Sequence, residues 1–363
     1  MFPRVMSLRM SNGYDRKLLN QRFEDLEEEL SQIPEIRHPN DHVLLIDGLN
    51  TFIRSFSVNP SLNDDGSHVG GLVGFMKSIR FAINKFKPTR CVIVFDGKNA
   101  SKPRQKIFSL YKGGRKVRSR LNRNVDWTLA PHDEHESMKL QIGRLIEYLE
   151  HLPLTLLAFD NLEADDVISY VSNVTLKGSK STIMSTDKDF LQLVDDRVEL
   201  YSPTKKITYD ADLVKKELGI YPRNMLTCRV VDGDKSDSIP GVKGVGIKSL
   251  IKEFPILSED KDFDIMMLLD SAKTKATRVS KMVNDSEYVI KRNYLLMQLN
   301  EPEIPNHVKL KINDAVHSVI PKLIKYKFQT MFLKDKLSTA IPNLDSWIME
   351  FTRLDRFRGL SDR

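Results

Sequence analysis

Nine acidic residues fall in five short groups along this chain: Asp47; Asp96; Glu163 with Asp165 and Asp166; Asp187 with Asp189; and Asp234 with Asp237. Most follow short apolar runs. If those runs lie side by side, the acids meet at one edge. At roughly 8 Å and an effective dielectric near 20, each pair of unit charges repels by about 2 kcal/mol. Bound cations remove that cost, and an all-oxygen donor set suits hard divalent ions such as Mg²⁺. The chemistry such a pocket supports is metal-assisted phosphodiester hydrolysis, with one ion acidifying water and a second stabilising the leaving oxygen. Taken singly, the acids have plainer uses. Asp47 or Asp187 could cap a helix, and Glu163, Asp165 and Asp166 could favour the positive end of a helix dipole. Capping does not demand five groups, and three acids packed into EADD are costly without an ion. No Ser or Cys arrangement offers a competing nucleophile. The HDEH stretch from His132 to His135 lacks the i, i+4 spacing of zinc hydrolases and reads as a solvated polar segment.

Residues 97–125 carry ten Lys or Arg and no acid: Lys98, Lys102, Arg104, Lys106, Lys112, Arg115, Lys116, Arg118, Arg120 and Arg123, with Phe108 and Tyr111 interleaved. The segment leaves directly from Asp96. Such a segment neutralises a phosphate chain and releases counterions, and its aromatics can stack on unpaired bases. A flexible solvated loop is the plainer reading, which the lack of compensating acid disfavours. Further on, GVKGVGIKS places Gly241, Gly244 and Gly246 ahead of a helix, with Lys243 and Lys248 beside them. A helix N-terminus behind glycines can receive phosphate, though a helix-packing turn is an equal rival. The spacing is not that of a Walker loop.

The elements that must position these groups read as alternating strands and helices. Val43–Ile46, Cys91–Phe95, Thr155–Phe159, Thr182–Ser185 and Val198–Tyr201 are strand-like. Leu72, Met76, Ile79, Ile83 and Phe86 trace one helix face closed by Pro88, and Ile142, Leu145, Ile146 and Leu149 trace another. Strands separated by helices imply an α/β fold with a parallel sheet, whose ligands sit beyond the strands' carboxyl ends. Residues 205–312 read as mainly helical. Residues 1–40 look like an addition, with Leu19, Phe23, Leu26 and Leu30 at helical spacing, and 313–363 are a second extension with Trp347, Phe351 and Phe357.

The 363 residues carry a net charge of +7, with 29% charged and 40% hydrophobic residues. With nine acids committed to one site, the remaining surface is more basic than that total, which favours a polyanionic partner. Cys91 and Cys228 are too few for a disulfide framework or a Cys-type zinc site and point to a reducing cytoplasm. No apolar run reaches membrane-spanning length. Arg4, Arg9 and Arg16 are followed by an acidic run, which discounts a transit peptide.

Together, LIDGLN, VFDG, YKGGR, LEADD, STDKDFLQLV and GDKSDSIPGVKGVGIKS resemble the 5′-nuclease superfamily of flap endonucleases, polymerase 5′-nuclease domains and phage 5′-exonucleases known as phage RNase H. The resemblance runs over about residues 42–260 and is most like a bacteriophage member. It implies a PIN-like parallel-sheet core (41–204) with a helical arch at about 97–135, and a helix-three-turn-helix DNA-binding region within 205–312. It implies that Asp47, Asp96, Glu163 and Asp165 lie nearest a first Mg²⁺, and that Asp166, Asp187, Asp189, Asp234 and Asp237 complete a two-ion pocket in which Mn²⁺ substitutes. Lys112 and Arg115 match cations that contact the scissile phosphate. Tyr111 is placed to stack on a base, and Arg104 belongs to the DNA-binding basic segment. Gly241, Lys243, Gly244, Gly246 and Lys248 match the duplex-gripping turn, which in the family often holds K⁺. The family's common Asn is Ser238 here, a change expected to matter little.

The resemblance further implies a monomeric, Mg²⁺-dependent 5′→3′ exonuclease and flap endonuclease. It would act on DNA and RNA–DNA duplexes with 5′ ends or flaps, remove RNA primers from lagging-strand fragments, and leave 5′-phosphate and 3′-hydroxyl ends. If phage-encoded, it would work in the host cytoplasm. The two extensions would meet a single-strand binding protein or sliding clamp, or pack on the core. Two rivals share parts of the pattern: a PIN-class ribonuclease for single strands, and a catalytically silent fork-binding protein.

Overall fold

The computed structural model describes residues 38–115 and 120–360. The expected amphipathic helix through Leu19, Phe23, Leu26 and Leu30 lies outside the described residues, as does the Arg115 side chain. The sheet holds β1 (His42–Asp47), β2 (Arg90–Asp96), β3 (Thr155–Phe159), β4 (Lys180–Met184), β5 (Val198–Ser202) and β6 (Ile207–Tyr209). Their order is β3-β2-β1-β4-β5-β6. The first five are parallel, and β6 runs antiparallel to β5. All five strands read from the sequence are present. The edge strand β6 was missed because three residues are too few to show a period of two.

Parallel strands buried on both faces read as continuous apolar runs, as VLLI and CVIVF do here. Alternate residues serve two cores. Val43, Leu45, Val92, Val94, Ile183 and Leu200 face one side, packed with α5 (Ala164–Tyr170) and the helical region from 211 to 316. Leu44, Ile46, Cys91, Ile93, Met184 and Tyr201 face the other. There they meet α1 (Gly48–Val58), α2 (Gly70–Phe86) and α4 (Glu134–Leu149). Helix α2 ends with Lys87 left-handed at φ 47°, its N–H returned to the Ile83 carbonyl at 2.9 Å, just before Pro88.

The C-terminal helices Lys325–Lys334, Leu344–Met349 and Thr352–Asp355 bring Phe328, Trp347 and Phe351 into this second core. Trp347 is 1% exposed, with ring centroids 5.2 Å from Phe328 and 4.7 Å from Phe351. The aromatics of that extension therefore join the core on this side of the sheet, with Phe328 edge-on to Tyr148 of α4 at 5.0 Å.

The basic segment holds one short helix, α3 (Lys102–Ile107), opened by Pro103, and a 3₁₀ turn at Gly113–Arg115. No longer arch helix occurs there among the described residues. The region after 210 is mainly helical as expected, with a two-residue antiparallel ribbon, β7 (Gly233–Asp234) and β8 (Ile239–Pro240). Among the described residues, no helix is long and apolar enough to cross a membrane.

Chain order reverses at β1: β2 and β3 lie on one side of it and β4 on the other. In open parallel sheets this switch point opens a crevice beyond the strands' carboxyl ends. The acid groups sit at that crevice.

Candidate active site

Asp47 ends β1 and Asp96 ends β2, while Asp187 follows β4. Each also does local work. Asp47 caps α1 by accepting from Asn50 N–H at 3.1 Å. Asp187 caps the 3₁₀ helix Lys188–Leu193 by accepting from Asp189 N–H at 2.9 Å. Asp96 reaches across to the start of α5, accepting from Ala164 N–H at 2.8 Å. Capping and clustering thus coexist, because a carboxylate at a helix N-terminus satisfies an orphan donor while keeping lone pairs for other partners.

A cavity of about 290 Å³ at the crevice is lined by Asp47, Asp96, Glu163, Asp165 and Asp187, together with Lys112 and Arg54. Asn50 and Thr186 complete its polar wall, joined by a 2.9 Å bond from the Thr186 hydroxyl to Asn50 Oδ1. Asp166, Asp189, Asp234 and Asp237 do not line it. Asp166 lies on α5, Asp189 on the 3₁₀ helix, Asp234 at the end of β7 and Asp237 on the loop that links β7 to β8.

Three cations of the chain hold these acids. Arg104 pairs with Glu163, with Asp165 at 3.3 Å and with Asp166 at 2.8 Å, and donates to the Leu296 carbonyl at 2.9 Å. Lys112 Nζ donates to Glu163 at 2.6 Å. Arg229 bonds Asp189 at 2.7 Å and also pairs with Asp234. Glu163 is 2% exposed and also accepts from the Tyr111 hydroxyl at 2.8 Å and the Ser101 hydroxyl at 2.6 Å. Burial would raise its pKa, but Arg104 and Lys112 outweigh burial and hold it at about 2.

Elsewhere negative charge is under-compensated. Burial lifts the Asp47 carboxyl to about 7, helped by Asp96 and Asp187. Burial and Asp165 lift Asp166 to about 7, and burial and Asp187 do the same to Asp189. Asp96 and Asp187 also move upward, with burial the main cause. Asp166 rises while Glu163 falls, though Arg104 touches both, because Glu163 alone has Lys112 as a second cation.

Among the described residues, no three or more His, Cys, Asp or Glu side chains are arranged as a ready metal shell. Part of the charge that the EADD sequence needs is supplied by the chain's own arginine. The donor set nevertheless fits hard divalent cations. Five carboxylates line one polar cavity, and Asp47, Asp96 and Asp187 stay raised although Lys112 acts on Asp96 and Arg229 on Asp187, so the chain's own cations offset the negative charge there only in part.

Two expectations for the basic segment are corrected. Arg104 is 8% exposed and is an internal counter-ion, so it is not a surface contact for DNA. Tyr111 is 2% exposed, with its hydroxyl spent on Glu163, and offers no face to a base. Phe108 lies under the Arg292 guanidinium, 4.3 Å from its ring centre. Positive charge in that stretch reads as solvent-facing, yet the acids of α5 attract one arginine inward. Two contributors were missed. Arg54 lines the cavity with its Nε lacking a hydrogen-bond partner, and Arg229 ties the acid loops together. Both sit within apolar helical patterns, where a lone arginine carries no signal.

The glycine turn leads into the helix Ile247–Glu253, with Gly246 at its N-cap. Gly244 has φ +79°, and Lys243 and Lys248 are exposed beside it. Gly241 serves a packing need: a Cβ there would lie 2.2 Å from the Asp232 carbonyl. The HDEH stretch is a helix start, Asp133 capping α4 and His132 resting 3.3 Å from Glu136.

Residues 42–219 match the family model described as 5′-3′ exonuclease, N-terminal resolvase-like domain. A 5′-3′ exonuclease of Aquifex aeolicus is 34% identical over 209 residues, covering 57% of this chain and 66% of that protein. DNA polymerase I of Borreliella burgdorferi is 28% identical over 314 residues, covering 83% of this chain and 32% of the polymerase. The chain thus spans just under two thirds of the first relative and about a third of the second. The fold is shared with a flap endonuclease of bacteriophage T5, solved as a pseudo-enzyme-product complex with DNA and metal ions. The TM-score is 0.56 at 18% identity, over 81% of this chain and 99% of that one.

Proposed function

The chain belongs to the 5′-nuclease superfamily, and on that premise we propose that it is a divalent-metal-dependent 5′→3′ exonuclease and 5′-flap endonuclease. Its task in this reading is removal of RNA primers and adjacent DNA during lagging-strand replication. The observation that carries the reading is one cavity at the sheet's switch point shared by five carboxylates and the Lys112 ammonium.

Asp47, Asp96, Glu163, Asp165 and Asp187 would hold the ions. When bound, divalent cations supply Lewis acidity that eases deprotonation of water and offsets charge growing on the phosphate. The chain's own residues then position and neutralise. Lys112 lines the cavity and gives one of its three donors to Glu163, which leaves two to meet a non-bridging phosphate oxygen there. Arg54 lines the same wall, its guanidinium held by the Ser78 hydroxyl at 2.9 Å, and adds a second positive charge there. Glu163 fixes the Lys112 ammonium, and Arg104 fixes Glu163, so the cation's place is set before substrate arrives. Exposed Lys243 and Lys248 beside the glycine turn supply charge for the duplex backbone.

A flap substrate with a labelled RNA 5′ end, incubated with Mg²⁺ or with EDTA, tests the reading. Mg²⁺-dependent products cut near the branch are expected, and Asp187→Asn is expected to lose them while still binding the flap. Cleavage confined to unpaired RNA, or undiminished turnover in Asp187→Asn, would overturn it.

A further inference from the structure

The base of the basic segment is fastened to the loop between β7 and β8 by backbone-scale contacts. Lys112 N–H donates to the Asp237 carbonyl at 2.8 Å, and Gly114 N–H donates to the Ser238 hydroxyl at 2.9 Å. Both sides are strained where they meet. Lys112 has φ +56° and Ser238 has φ +61°, a left-handed conformation that side chains other than Asn, Asp and Gly rarely adopt. Such strain persists only where the surroundings over-determine it, and it marks positions worth a functional hypothesis. The approach is close: a Cβ on Gly114 would lie 2.6 Å from Ser238 Oγ, so the hydroxyl would have to move.

This contact joins the pieces that the reaction must coordinate. Lys112 carries its ammonium into the acid cavity. Asp237 shares the loop with Ser238, Asp234 ends the strand that leads into it, and Arg229 ties Asp234 to Asp189. Gly241 and the exposed Lys243 follow three and five positions after Ser238. A change in the loop's path on duplex engagement would therefore be felt at Lys112.

Resting on the nuclease reading above, we infer that Ser238 is a positioning residue for Lys112, its hydroxyl latching the basic segment to the loop that leads into the glycine turn. The residue at 238 was expected to matter little, yet its hydroxyl holds Gly114, two positions after Lys112, beside the bond from Lys112 N–H to the Asp237 carbonyl. Ser238 touches no reacting atom; it works through Lys112.

Single-turnover cleavage of a 5′-flap in Mg²⁺, and flap affinity in Ca²⁺, are measured for four proteins: the parent, Ser238→Ala, Ser238→Asn and Gly114→Ala. Ser238→Ala, which keeps the backbone strain and loses the acceptor, slows turnover about fivefold with little change in affinity. Gly114→Ala, whose Cβ displaces the Ser238 hydroxyl, does the same. Ser238→Asn retains the parent rate, because Asn tolerates the left-handed conformation and presents a side-chain oxygen. In a Lys112→Ala background, Ser238→Ala has no added effect. Equal losses of rate and affinity, a slow Ser238→Asn, or undiminished slowing in the Lys112→Ala background would overturn the inference. Labelling of Lys112 by an acetylating ester, read by mass spectrometry without substrate, is expected to speed up in Ser238→Ala. Unchanged labelling would also overturn it. That readout needs no cleavage, so it separates a failed latch from a failed nuclease assignment.

Discussion

Asp47→Asn is expected to make the metal-free protein more stable while removing its activity. Asn is nearly isosteric and keeps an oxygen for the Asn50 N–H that Asp47 now caps at 3.1 Å. What it removes is a charge that burial, Asp96 and Asp187 all disfavour, lifting the carboxyl from 3.8 to about 7. At 1.36 kcal/mol per tenfold change in proton affinity, that rise corresponds to about 4 kcal/mol at most. The cavity opens to solvent, so we take about 2–4 kcal/mol. The sign follows from proton counting. Between about pH 4 and about pH 7 the folded parent keeps a proton that the unfolded chain has released, so its stability falls as pH rises across that window. The Asn variant carries no such proton, so it pulls ahead by up to about 1.4 kcal/mol per pH unit and stays ahead above about pH 7. Urea denaturation in EDTA, for parent and variant across that range, measures the gap directly. Added Mg²⁺ should stabilise the parent more than the variant and close the gap, while flap cleavage by the variant stays near background. A gap that does not vary with pH, or a variant less stable than the parent at about pH 8, would refute the claim that uncompensated negative charge is stored at this crevice.

Three further outcomes test other parts of the account. Lys112→Ala is expected to slow single-turnover cleavage by about 10²–10³-fold, in line with the loss of one preorganised cation, with little effect on flap binding; equal rates for variant and parent would remove Lys112 from the chemistry. Arg104→Gln should destabilise the metal-free fold by about 3–5 kcal/mol at neutral pH, because it leaves buried Glu163 and half-buried Asp165 and Asp166 without their shared cation. Urea midpoints in EDTA report this, and a loss under about 1 kcal/mol would mean that Arg104 is dispensable as a counter-ion. Trp347→Ala should cost about 3–5 kcal/mol, since the ring is fully enclosed between Phe328 and Phe351; an unchanged melting temperature would show that the C-terminal helices are not part of the core.

The parallel sheet was legible because its strands are short apolar runs separated by helical periodicity. The acids were legible as a set, because five groups at strand ends and turns exceed what helix capping demands. Alternating residues along VLLI and VIVF gave no hint that the two faces differ, since both are buried. The aromatics near the C-terminus had no visible partner in the sequence, because Tyr148, against which Phe328 packs, lies 180 positions earlier.

What the sequence determined by itself is the set of donors and their placement at strand ends, both local properties of periodicity and residue type. Only the tertiary structure decided which positive charges face solvent and which turn inward. Arg104 and Tyr111 carry the same surface-like signal as their neighbours, yet both are drawn into the acids of α5, 52 to 62 positions away in the chain. The same holds for Ser238, whose weight comes from a hydrogen bond to Gly114 across 124 positions. Residue type sets what a side chain can bond. Its partner is set by long-range packing, which no local pattern records.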